Sequence, residues 1–308
     1  MILDSLPSAP DHLTRETFSR DLVDRVLGSL PSPETRRSYA RSIQDLLEFA
    51  GKREITLSLL HKWRDRMAAK MTPGSVNVRV AAVRKLFHEA GRAGVISHAQ
   101  AHELGEFKGL RRLGQTTGNW LVREQCRAIL AVPNRRTLRG KRSYCVLALL
   151  LGCALRRTEL SKLQFDQIQM REGRWVVADL RGKGNRIRTV AIPGWVKEAV
   201  DGWTKAAGIT SGVLIRRLAP TPKNPVPGAL STKSLWDIVK KAGAAIGVPN
   251  FSPHDLRRTC AKLCRTRGGR IEQIQAMLGH ASIATTERYL GSTQNLVHAV
   301  NDDMGLWS

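Results

Sequence analysis

What this 308-residue chain lacks narrows its function before any motif does. Its longest apolar run, around Val146 to Leu151, falls far short of the ~20 residues a membrane span requires. The start, Met1-Ile2-Leu3-Asp4-Ser5, has no positive segment followed by an apolar stretch, so no signal peptide is expected. Cysteine is sparse: Cys126, Cys145, Cys153, Cys260 and Cys264 form an odd, scattered set without a CxxC pair. Cys260 and Cys264 are one helical turn apart and could be two ligands of a metal site, but no second pair matches them. They read as buried, reduced thiols of a cytosolic protein, and no metal is expected. Acidic residues are also few, 26 against 50 lysines and arginines, leaving a formal net charge of +24. An excess that large points to a polyanionic partner, most often nucleic acid.

The charge is unevenly spread. Residues 1–50 carry 6 basic and 8 acidic side chains, and residues 51–150 carry 20 and 6. A first helix is expected from about Thr14 to Leu30, where Phe18, Leu22, Val26 and Leu30 recur every fourth position. Ser32-Pro33 starts a second, and Leu57–Ala69 and Val76–Ala90 supply two more, divided by Thr72-Pro73-Gly74-Ser75. Residues 14–108 therefore read as a helical bundle. On its last helix Arg79, Arg84 and Lys85 fall off the apolar stripe, which would leave them free to meet DNA phosphates. Residues 109–119, with three glycines and no period, read as a linker. A second domain, 120–308, opens with a helix at Arg123–Ala131 and continues through a buried helix at 144–151. Two β-branched runs, 174–180 and 186–192, flank Gly-Lys-Gly-Asn as a hairpin. The remainder reads as helical apart from a proline-rich loop at Pro220–Gly228. The fold expected is mainly α with a small β-sheet.

Chemistry concentrates in a few residues. They are Arg156, with Glu159 three positions on; Lys183 between two glycines; His254-Asp255-Leu256-Arg257; Gly279-His280; and Tyr289. In-line attack on a phosphodiester builds negative charge on the non-bridging and leaving oxygens, so a protein acting without a metal must supply fixed cations, a nucleophile and a proton donor. Arg156 and Arg257 suit the first need, since a guanidinium meets phosphate bidentately and stays charged. His254, three residues before Arg257, shares its helix face behind Ser252-Pro253. Of three tyrosines, Tyr39 lies on an apolar stripe and Tyr144 opens a buried helix, which leaves Tyr289. It sits roughly 100° from the inward face expected of Ile283, Thr286 and Leu290. Lys183 could protonate a departing 5′ oxygen. Taken singly, each residue has a plainer reading: Lys183 as an exposed turn residue, His254 and His280 as structural histidines, Arg156 as the partner of Glu159.

Jointly they resemble the tyrosine recombinase, or phage integrase, family. The order arginine, lysine, HxxR, GH, then tyrosine nine residues later falls on Arg156, Lys183, His254-x-x-Arg257, Gly279-His280 and Tyr289, with Glu159 at the acidic position. Cys153-Ala154 stands where many members carry Thr-Gly. The resemblance implies a core-binding helical domain at 14–108 and a mixed α+β catalytic domain, closing on DNA as a C-shaped clamp. About 13 residues precede the bundle, so no arm-binding domain is expected. It also implies a site-specific recombinase that cuts through a 3′-phosphotyrosyl link to Tyr289 and resolves a Holliday junction, without cofactor. The expected partners are double-stranded DNA sites and further copies of the chain, a dimer on a site and a tetramer in synapsis. Leu296, Val297, Val300 and Met304, in a C-terminal segment at 294–308, would dock on the next protomer, the plainer reading being a helix end packed on its own domain. A cytoplasmic, nucleoid-associated protein of bacterial or phage origin is expected, with no membrane partner and accessory proteins left open. A type IB topoisomerase-like enzyme resembles the same chemistry, and a non-catalytic DNA-binding protein of the same fold is the remaining alternative.

Overall fold

The computed structural model describes residues 12–111, 119–182, 186–219 and 225–291. The chain divides into two compact units, Met1–Gly114 and Gln115–Ser308. In the first, α1 (Arg20–Gly28), α2 (Pro33–Ala50), α3 (Leu57–Ala68), α4 (Pro73–Arg92) and α5 (His98–Gly105) each start at a serine or threonine. Ser19, Ser32, Thr56, Thr72 and Ser97 each accept a hydrogen bond from a first-turn N–H, satisfying a donor the helix cannot. The expected single helix from Thr14 is split. A 3₁₀ turn covers Arg15–Thr17, and α1 begins only where Ser19 offers its hydroxyl to Leu22. Phe18, Leu22, Val26, Ile43, Leu46, Leu60, Val80 and Phe87 fill the core around Trp63, whose indole N–H donates to Asp45. Gly109 and Leu110, expected in the linker, are held to this unit: Asn77 donates to the Leu110 carbonyl and accepts from its N–H.

The second unit is built on α7 (Leu138–Gly152). Residues 145–150 are apolar all round, so the helix is buried on every side, against α6 (Arg123–Ala131), α9 (Gly194–Ala207) and α11 (Pro253–Thr266). Beyond α8 (Arg157–Lys162) comes an antiparallel sheet, β1 (Ile168–Arg171), β2 (Arg174–Arg181) and β3 (Ile187–Ala191). β1 was not expected; Glu172 and Gly173, both at positive φ, turn it tightly into β2. Of the proline-rich stretch expected as a loop, 220–224 lie outside the described residues and the rest is strand. Pro225–Ala229 forms β5 and pairs antiparallel with β4 (Arg216–Leu218), where a two-stranded sheet leaves an edge that tolerates proline. Then follow α10 (Thr232–Ala245), α11, α12 (Ile271–Leu278) and α13 (Ile283–Leu290). On α13, Thr286 and Leu290 are buried as expected, but Ile283 is 39% exposed because it opens the helix a turn away from the contacts below. The fold is mainly α with small β-sheets. Among the described residues no helix is long and apolar enough to cross a membrane.

Candidate active site

The site grows from four chain segments that meet at the end of α7. Cys153 and Ala154 lead out of the helix, and Ala154 takes φ +49°, a left-handed conformation that strains a residue with a Cβ. That turn aims the Ala154 carbonyl at Arg257, which donates to it and to the Leu278 carbonyl. Arg257 is 1% exposed, and burial, then the nearby charge of Arg156, lowers its pKa to about 10. Arg156 caps α8. Its backbone N–H donates to Glu159 Oε2 at 2.7 Å and its Nη1 to Oε1 at 2.8 Å.

Glu159 is itself buried and held from the other side by Arg188 of β3, whose Nη1 and Nη2 reach its two oxygens at 2.8 Å each. Burial alone would raise the Glu159 pKa. Hydrogen bonds from Arg188 and from the Arg156 backbone, with the charge of Arg188, overcome it and hold the pKa at about 2. Arg188 Nε also donates to the Met277 carbonyl at 2.9 Å. Gly279 ends α12 at φ +61°, and a Cβ there would lie 2.9 Å from Arg188 Cδ, so glycine serves both the turn and the guanidinium behind it.

His280 follows, its Nδ1 3.1 Å from the hydroxyl of buried Thr286. Burial, then Arg257 and Arg156, lowers its pKa to about 4. Tyr289 of α13 lies between the two histidines, with His254 and His280 each edge-on to its ring at 5.2 Å. Its hydroxyl donates to the His254 carbonyl at 3.2 Å, and Arg258 Cζ stands 5.0 Å from the ring centroid. Burial raises the Tyr289 pKa to about 12 against the opposing charges of Arg257 and Arg258. His254 is exposed, yet the protein around its ring, then Arg258 and Arg257, lowers its pKa. A cavity of about 410 Å³ opens beside these residues, lined by Gly182, Arg186, Arg188, Gly279 and His280 among others.

Arg156, Glu159, His254, Arg257, His280 and Tyr289 thus come together from distant parts of the sequence. Lys183 lies outside the described residues. Its neighbour Gly182 is at the site, since a Cβ on it would lie 3.2 Å from Arg156 Nη1 and 3.4 Å from Arg188 Nη1. Sequence reasoning missed Arg188, Arg258 and the role of Thr286. For Arg188 a signal was present: it shares strand parity with Val190, whose side faces the core. In the first unit, the expected freedom of three basic residues needs correction. Arg79 pairs with Asp45 at 3.5 Å, Arg84 Nε donates to the Phe107 carbonyl at 2.6 Å, and Lys85 pairs with Glu89 at 3.4 Å. All three are half-buried: Arg79 and Arg84 reach groups outside α4, and Lys85 reaches a carboxylate one turn along its own helix. Among the described residues no group of three or more His, Cys, Asp or Glu could hold a metal ion.

This arrangement can hold a tetrahedral anion. Four guanidiniums, Arg156, Arg188, Arg257 and Arg258, gather here; Glu159 pairs with the first two and Asp255 with Arg258. The family model described as "Phage integrase family" matches residues 119–295. Tyrosine recombinase XerA of Thermococcus onnurineus is 30% identical over 262 residues, covering 84% of each chain. Tyrosine recombinase XerC of Pseudomonas fluorescens is 26% identical over 278 residues, covering 84% of this chain and 85% of its own. Among solved structures, a lambda integrase tetramer bound to a Holliday junction superposes with a TM-score of 0.71 at 15% identity, over 94% of this chain and 82% of that one. The Tn1549 transposon integrase in complex with a circular intermediate DNA gives 0.69 at 17%, over 96% and 99%.

Proposed function

The chain belongs to the phage integrase family, and from that premise we propose that it cuts and rejoins double-stranded DNA at specific sites through a covalent link to Tyr289. The observation that carries this reading is the position of Tyr289, between two histidines and beside buried Arg257, where a nucleophile and anion-binding cations share one site. Arg156 and Arg257 take the non-bridging oxygens of the scissile phosphate with the N–H groups not spent on protein partners. The Tyr289 oxygen attacks phosphorus, its proton passing to a neighbouring histidine. The P–O5′ bond breaks, and Lys183 gives a proton to the departing 5′ oxygen. The 3′-phosphotyrosyl link conserves the bond energy, so a 5′ hydroxyl of the partner duplex reverses the step. Two rounds of exchange pass through a Holliday junction. No nucleotide cofactor is needed for such a cycle.

The helical unit, from 14 through Leu110, is the core-binding domain in this reading, and it and the catalytic domain both bind the duplex. Arg79, Arg84 and Lys85 exchange their present partners for phosphates as it binds. Two protomers fill a site and four make a synapse, with residues 294–308, outside the described residues, docking on the next copy. The test is to sequence the DNA retained at native sites and then place two copies on one supercoiled plasmid. Recombinant circles dependent on both copies are expected. Relaxation of supercoils without recombination would mean a topoisomerase-like enzyme instead.

A further inference from the structure

Arg188 has no part in the cleavage steps described above, yet it is bonded to two separate parts of the site, Glu159 and the Met277 carbonyl. It leaves β3, enters from beneath, and is 8% exposed along its side chain. Three of its N–H bonds have partners: two on Glu159 and one on the Met277 carbonyl. Gly279 clears space for it beside its Cδ, and Gly182, just past β2, lies beside its Nη1. We propose that Arg188 is a positioning residue for strand cleavage, the counter-ion that neutralises Glu159 and so leaves the charge of Arg156 available to the scissile phosphate. The proposal rests on the cleavage reading above.

The electrostatic reasoning is direct. Glu159 grips Arg156 through both its backbone N–H and its guanidinium. With Arg156 as sole partner, the carboxylate would cancel the charge that a phosphate requires. Arg188 supplies the second charge, so the trio carries one net positive charge, and Glu159 becomes a rigid spacer between two guanidiniums. The Glu159 pKa of about 2 fits a carboxylate ionised throughout the working range. Through Met277 and Gly279 the same guanidinium also braces the turn that carries His280.

The experiment measures single-turnover covalent adduct formation by the full chain on nicked duplex DNA. One duplex has the ordinary scissile phosphate; the other has a methylphosphonate there, which removes the charge Arg156 is to neutralise. Arg188→Gln should bind DNA as the parent does and lose ~100-fold or more in cleavage of the phosphate. On the methylphosphonate that deficit should shrink at least ~10-fold, as it should for Arg156→Ala. Arg188→Lys, which keeps the charge without the fork, should lose less, about 10-fold, on the phosphate. A folded Arg188→Gln that cuts the phosphate at the parent rate, or that is equally impaired on both substrates, would overturn the proposal. If Arg188→Gln melts below the assay temperature, Arg188→Lys decides: parent-rate cleavage of the phosphate, or a loss no smaller on the methylphosphonate, overturns it. Failure of the parent itself to form an adduct would count against the cleavage reading, separately from Arg188.

Discussion

Tyr289 donates its hydroxyl proton to the main-chain carbonyl of His254 across 3.2 Å. A carbonyl cannot take that proton away, so in the DNA-free protein the phenol is held neutral, in keeping with a pKa of about 12. In the proposed reaction an incoming phosphate draws the hydroxyl off the carbonyl before attack, and the cations near the ring govern how readily the phenolate forms. Arg258 stands 5.0 Å from the ring centroid. Replacing it with glutamine should slow adduct formation by about 10-fold, the order expected when a partly buried cation leaves an aromatic face. Unchanged single-turnover rates would show that Arg258 only serves Asp255.

The two arginines proposed to bind the phosphate, Arg156 and Arg257, should fail in different ways. Arg156→Lys and Arg257→Lys should each cleave at least ~100-fold more slowly, since one ammonium cannot reproduce the fork. Arg257→Ala should also destabilise the fold, because the Ala154 and Leu278 carbonyls lose a buried donor, at about 1–3 kcal/mol each. Arg156 is less buried, 28% exposed along its side chain, and its alanine variant should melt close to the parent. Thermal unfolding beside cleavage rates separates the two cases.

Stability should fall in two acid windows. The His280 pKa is lowered to about 4 from 6.5, so the unfolded chain binds its proton first; that contribution is full above about 6.5 and is lost as pH falls toward 4. Glu159 is lowered to about 2 from 4.5, and its contribution is lost between those values. His254, lowered in the same direction as His280, adds to the upper window. Denaturant melts of DNA-free protein across pH should show His280→Gln flattening the slope between pH 6.5 and 4, and Glu159→Gln flattening the lower one. An unchanged slope in either variant contradicts the assignment of that window.

Ala154 gives a backbone test. At φ +49° glycine relieves strain but gives up a buried methyl, so Ala154→Gly should lie within about 1 kcal/mol of the parent. Ala154→Val, β-branched in a left-handed conformation, should lose at least ~2 kcal/mol and displace the carbonyl that holds Arg257. Equal stability of the two variants would remove the turn from the account.

The sequence revealed most of what recurs and little of what depends on long-range pairing. Apolar residues at helical spacing marked α2, α3 and α4, with Ser32-Pro33 and Thr72-Pro73 at the starts of the first and last, because both signals are local. The break at Ser19 was hidden by Phe18, which continues the apolar spacing although it lies outside α1. β1 is four residues long with no buried position, so neither length nor alternation marked it. The six residues that the fold brings together were singled out by their joint spacing, although Arg257 and Glu159 are also buried. Arg188 was marked only by its strand parity with Val190, because its partner is a carboxylate 29 positions away that only the folded chain brings opposite it. The neutral pairing of Arg156 with Glu159, a plain alternative from sequence, is real but incomplete: the same carboxylate serves two arginines.

The central claim is that Tyr289 becomes covalently joined to DNA. The direct measurement traps the protein on a nicked duplex whose short fragment with the new 5′ hydroxyl diffuses away, digests the complex, and reads by mass spectrometry which peptide carries the nucleotide. The account predicts a single 3′-phosphotyrosyl adduct on the peptide containing Tyr289, absent in Tyr289→Phe although that variant still binds DNA. An adduct on another residue, or one that persists in Tyr289→Phe, would contradict it.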